Sequence, residues 1–127
     1  KDAIDFAKAL QQQGGGIYKS VTTTVLCNEK KTCKEDATRI NILKGLTWLT
    51  KVTSQNDMAV IFLAGHGIKN RGGSGYFLPA DGQMQHLRQT GLPFSAMRNT
   101  STFDGSTVRV ALISPGRSCC SSPARAV

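Results

Sequence analysis

The chain has 127 residues, 39% hydrophobic and 19% charged, with a formal net charge of +8 and a pI near 9.7. That is enough apolar material for one core, and too short a chain for two comfortable domains. No apolar run reaches the ~18 residues of a membrane span, and the Lys and Arg residues are scattered with few aromatics between them, so neither a membrane nor a nucleic-acid partner is expected.

The opening "KDAIDFAKALQQQ" spaces Ile4, Ala7 and Leu10 as one helical face and stops at Gly14-Gly15-Gly16. Lys1 begins inside that helical pattern with no secretory signal before it, so the sequence reads as a fragment of a cytoplasmic protein. "IYKSVTTTVL" is rich in β-branched residues and predicts a strand. "NEKKTCKEDAT" is a polar connection. A second helix is expected over residues 38–52, with Ile42, Leu46 and Leu49 as its apolar stripe and Ile40, Leu43 and Trp48 widening it.

"MAVIFLA" is an apolar run without alternation, the pattern of a strand buried on both faces in a parallel sheet. Asp57 ends the loop before it. "RGGSG" lacks the Lys-Ser/Thr of a phosphate loop and predicts a hairpin turn, followed by "GYFLPADG" as a short strand in which Asp81 shapes a turn. "LPFSAMRNT" places Pro93 near the start of a helix, and "TVRVALI" is a further strand. Alternating helices and strands predict an α/β fold. The last stretch, "SPGRSCCSSPARAV", has no periodicity and reads as an irregular tail. The expected organisation is therefore one partial domain over residues 1–113 and an irregular tail over 114–127.

Four cysteines occur, Cys27, Cys33, Cys119 and Cys120. The Cys27–Cys33 spacing fits no zinc motif, no carboxylate pair or ligand cluster accompanies it, and neither metal nor cofactor is expected. With no secretory signal, all four are expected as reduced thiols.

His66 lies between two glycines, two residues past the apolar run, where a parallel sheet gathers its reactive groups. Gly65 and Gly67 permit a sharp turn and close approach of a ligand, and the Gly67 N–H could donate to an oxyanion. From spacing alone a structural histidine in a tight turn explains His66 equally well. His86, in "GQMQHLRQ", reads as a surface residue.

Together "DAIDFAKAL", "YKSVTTTVLCNE", "DATRINILKGLTWL", "DMAVIFLAGHG" and "GYFLPADG" resemble the large-subunit domain of bacterial caspase-like peptidases, close to the metacaspases. The resemblance implies a three-layer sandwich with a mostly parallel central sheet and helices on both faces, here truncated at both ends. It implies cleavage of a peptide or protein substrate by a Cys–His dyad through an acyl-enzyme, with His66 as general base and acid and the Gly67 N–H as oxyanion donor. Further domains on a longer chain would fit such a protein.

The family's cysteine follows a strand, in a motif like Asp-Ser/Thr/Ala-Cys-His/Arg-x-Gly roughly 50 residues after the histidine. Here the strand continues instead as Ser114-Pro115-Gly116-Arg117. Cys119 and Cys120 lie 53 and 54 residues past His66 (119 − 66 and 120 − 66), but no Asp precedes them and no His-x-Gly follows. The tail reads either as authentic or as the product of a shifted reading frame. The sequence thus supports a peptidase domain with no in-register nucleophile, or a catalytically silent scaffold of the same family.

Overall fold

In the computed structural model, which describes residues 2–28, 31, 33–54, 56–97 and 107–114, the chain opens with helix α1, Asp2–Gln11. Its Ala3 and Ala7 are buried one turn apart, with Leu10 beside them. Two bonds into the following glycines, Gly14 N to Gln11 O (3.1 Å) and Gly16 N to Gln13 O (3.3 Å), turn the chain out of the helix.

Strand β1, Ser20–Cys27, starts three residues later than the β-branched pattern suggests. Gly15 N donates to Tyr18 O (2.7 Å) and Gly14 bridges Tyr18, so residues 14–18 fold on themselves and leave Ile17 76% exposed.

Helix α2, Arg39–Val52, has Thr38 as N-cap, its side chain accepting from Asn41 N. Ile42, Gly45 and Leu49 are its buried residues, whereas Leu46 is only partly covered and Ile40 is 59% exposed. The expected stripe is therefore correct at its centre and too wide at Ile40.

Strand β2, Asp57–Leu63, begins at Asp57 itself, not after it. The backbone N of Asp57 donates to Ser54 O (3.1 Å), and its buried carboxylate accepts from Ser54 N (2.9 Å), locking the turn into the strand. Residues 58–63 are only partly buried. The reason is topological. Strand β6, Thr107–Ser114, lies between β1 and β2 and pairs parallel with both, in the order β1-β6-β2. So β6 holds the centre, and among the described residues β2 is an edge of this sheet, not a strand enclosed on both sides.

The pleat divides the strand side chains between two clusters. Val21 and Val25 of β1, with Met58, Val60 and Phe62 of β2, pack against α1, where Phe6 stacks on Phe62 with ring centroids 4.7 Å apart. Leu26 and Leu63, of opposite parity, join Ile42 and Leu46 of α2. Period-two alternation thus sends α1 and α2 to opposite faces.

A second, antiparallel sheet follows: β3, Gly67–Lys69; β4, Gly75–Phe77; and β5, Leu92–Pro93, in the order β3-β4-β5. "RGGSG" is the hairpin turn expected, closed by Asn70 N to Ser74 O (2.9 Å) and by Ser74 N to the Asn70 side chain (2.9 Å), with Gly73 at φ 82°. A 3-10 turn, Met84–His86, and short helix α3, Leu87–Thr90, lead to β5. The helix expected at Pro93 does not start there. Pro93 is extended (φ −66°, ψ 136°) and pairs with Tyr76, and only a 3-10 turn, Phe94–Ala96, follows. An edge strand tolerates a residue with no N–H to donate, which is why proline fits here. Phe77 and Leu92 carry this sheet into the cluster beneath α2.

The expectation of reduced thiols is corrected for one pair. Cys27 and Cys33 form a disulfide, because the connection after β1 returns Cys33 to a Cα separation of 5.7 Å, within bridging range. The expected tail, with Cys119 and Cys120, lies outside the described residues.

Gly91 is buried where α3 meets β5, and a Cβ there would sit 2.6 Å from the Leu87 carbonyl oxygen and 3.1 Å from the Tyr76 ring. Backbone on one side leaves no room to yield. Gly91→Ala is expected to lower stability by roughly 1–3 kcal/mol, read as a lower urea midpoint at unchanged slope.

Candidate functional site

Parallel strands end together, so the carboxyl ends of β1, β6 and β2 share one rim. Leu63, the last residue of β2, stands opposite Ile113, and Cys27 opposite Ser114. Ala64, Gly65 and His66 join β2 to β3, and Gly65, His66 and Gly67 are all exposed. The structure therefore places His66 at the rim, three residues past the end of the strand next to β6, in the open setting that the sequence predicts.

The turn is held on its far side by β4. His66 O accepts from Leu78 N at 3.0 Å. In an antiparallel ladder that bond flanks a pair lacking direct hydrogen bonds, here Gly67 and Phe77, so the Gly67 N–H points away from β4. The half-exposed Phe94 ring covers Gly67 and Gly75 of this hairpin. A Cβ on Gly67 would meet it at 3.4 Å and one on Gly75 at 2.8 Å. Nothing in the local pattern around Phe94 announces this, because β5 brings it there from outside the hairpin.

The segment after β4 docks on the start of α2. Leu78 and Pro79 are buried, Ala80 N donates to Ala37 O (2.9 Å), and Gly82 N closes a turn onto Pro79 O (2.9 Å). Asp81 lies in that turn, as the sequence predicts, but it does more. Its carboxylate accepts from Arg39 N at 2.8 Å, satisfying a free donor in the first turn of α2. The Arg39 side chain reaches Gly91 O at 3.3 Å. These ties span 42 and 52 residues, beyond any local capping pattern.

Of the other residues singled out, His86 is an exposed end of a 3-10 turn, as expected. Cys119 and Cys120 lie outside the described residues, so neither can be related to His66. A shallow cavity of about 500 Å³ runs along α2 past Ile40, Lys44 and Trp48; its lining includes no residue of the His66 turn. Among the described residues no group of three or more His, Cys, Asp or Glu could hold a metal ion, and no helix is long and apolar enough to cross a membrane.

These observations describe an α/β protein with an exposed Gly-His-Gly turn at the carboxyl rim of a parallel sheet. The chain belongs to the metacaspase family: residues 1–101 match the model described as "Metacaspase, peptidase C14 domain". Among curated proteins and solved structures, nothing matches. Membership makes a cysteine-peptidase type of function, with a protein substrate, the coarse assignment.

If the Asp81 carboxylate caps α2, Asp81→Ala is expected to cost roughly 0.5–1 kcal/mol, and Asp81→Asn, which keeps an acceptor, only a few tenths. Thermal unfolding of the two variants side by side checks this.

Proposed function

We propose that the chain is a cysteine-type endopeptidase domain of the caspase and metacaspase kind, with α1, α2 and the parallel strands belonging to a caspase-like three-layer sandwich. This chain carries no in-register nucleophile after β6; in a domain with the family's cysteine there, His66 takes the proton of its thiol. The thiolate attacks the scissile carbonyl carbon, and the oxyanion that forms is met by the Gly67 N–H. His66 then protonates the departing amine, leaving a thioester that water hydrolyses with the same imidazole as base.

One observation carries the proposal. With the strand order β1-β6-β2, the end of β6 lies beside the end of β2, from which the chain runs to His66. A nucleophile just after β6 would then start from the rim that His66 shares. The family match over residues 1–101 takes in His66 and supports the cysteine-peptidase type of function.

A second reading is favoured by a separate observation. Where the family has Asp-x-Cys-His, this chain has Ser114-Pro115-Gly116-Arg117. The chain as it stands is then a caspase-like scaffold or regulatory module, with the histidine half of a dyad and no thiol in register.

Hydrolysis of fluorogenic peptides bearing Arg, Lys or Asp before the scissile bond tests both. The chain itself is expected to stay near the buffer background; robust turnover abolished by Cys119→Ala or Cys120→Ala would overturn the silent reading. Replacing Ser114-Pro115-Gly116-Arg117-Ser118-Cys119 by Asp-Ala-Cys-His-Ser-Gly puts a cysteine 50 residues past His66 (116 − 66). That graft is expected to create turnover, and His66→Ala within it to remove about 100-fold or more. Turnover indifferent to His66→Ala would overturn the dyad.

A further inference from the structure

We propose that the Cys27–Cys33 disulfide is a positioning crosslink for the His66 turn, so that its reduction loosens the histidine without unfolding the sheet. The functional weight of this rests on His66 being the dyad histidine; the coupling itself does not.

The crosslink sits on the rim that His66 shares. Cys27 is the last residue of β1, buried, and its N–H donates to Glu35 O (3.2 Å), while Leu26 bridges Glu35 in parallel. The disulfide returns the chain to Cys33, two residues before Glu35. It therefore fixes the approach to α2 at the end of β1. Beside it, the Asn28 side chain accepts from Ala37 N (3.2 Å). Ala37 is fully buried, and its carbonyl accepts from Ala80 N (2.9 Å). Two residues before Ala80, Leu78 N donates to His66 O (3.0 Å). Every link from the disulfide to His66 is thus covalent chain or a backbone-anchored bond. The opposite face of the sheet, where Ala3 and Ala7 of α1 meet Val21, Val25 and Val60, shares none of these links.

The chemistry is reversible. Cys33 is partly exposed and Cys27 is not, so an external dithiol attacks the Cys33 sulfur and expels Cys27 as its thiolate, which takes up a proton. The second thiol of the reagent then displaces Cys33 and closes the reagent's own disulfide. Two electrons and two protons pass to the protein, giving two thiols. The end of β1 and the approach to α2 are then joined by the bonds Cys27 N to Glu35 O and Ala37 N to Asn28 Oδ1, without the crosslink that shortened the loop between them. Ala37 loses part of the support that lets it hold Ala80.

Proton–nitrogen NMR on the full chain, with dithiothreitol and without, tests the proposal. Reduction is expected to speed amide exchange at Leu78 and Ala80 by about fivefold, the change expected on losing one hydrogen bond's net contribution. The His66 ring resonances should move while those of His86 stay, and amides of α1 should keep their protection. Cys33→Ser without reductant should reproduce the pattern, which separates the effect from Cys119 and Cys120. Asn28→Ala should reproduce the faster exchange with the disulfide intact. Unchanged exchange at Leu78 and Ala80, or an equal rise across α1 and the sheet, would overturn it, the second showing a general stabiliser with no selective hold on His66. Because peptidase activity is not the readout, failure of the dyad assignment would leave these outcomes interpretable.

Discussion

The arrangement rests on β6 pairing in parallel with two strands at once. Among the described residues β1 and β2 share no ladder of their own, and the ladder of each within this sheet is the one it makes with β6. The helices cannot substitute for it. α1 covers residues from both strands on one face and α2 covers residues from both on the other, but side-chain packing does not satisfy strand backbones. β6 comes last of the three in sequence, after the whole antiparallel sheet. Loop-closure entropy must therefore be overcome before the parallel sheet gains its central bonds. The same insertion sets the site, since it decides that the exit of β6 neighbours the exit of β2.

What could be read in advance follows from how far each cause reaches along the chain. α1, the middle of α2, β2 and the glycine hairpin depend on periodicity and turn residues within a few positions, and they were legible. The place of His66 was legible too, because an apolar strand followed by Gly-His-Gly carries its own geometry. The residues misjudged, or read correctly but incompletely, answer to distant partners. Pro93 reads locally as a helix start, yet pairing with Tyr76 makes it a strand. Asp81 reads as a turn residue, yet its carboxylate completes a helix 42 positions away. Cys27 and Cys33 read as free thiols, yet the bridge from Leu26 to Glu35 brings the chain back beside the end of β1, where the two are joined.

Ile40 and Trp48 illustrate a different limit. Helical spacing says which residues share a face with Ile42 and Leu49, and it cannot say how wide a face the neighbouring strands will cover. Leu26 and Leu63 cover a narrow strip of α2, centred on the small Gly45, so the flank at Ile40 stays exposed and opens into the shallow cavity beside Trp48.

The His66 turn gains its definition from its anchors. It is a three-residue joint between two sheets with separate hydrogen-bond ladders, fixed on one side by Leu63 against Ile113 and on the other by Gly67 against Phe77. A joint pinned at both ends can be glycine-rich and exposed and still keep one backbone path, because the order is imposed by the elements it connects. That is the condition a reactive group needs, accessible to a substrate while its position is set by rigid surroundings. Bulky residues at the joint would have supplied order by packing and closed the rim in doing so. Glycine on either side of the histidine leaves the rim open, and the turn is tied through Leu78 N on His66 O and, two residues on, through Ala80 N on Ala37 O at the approach to α2.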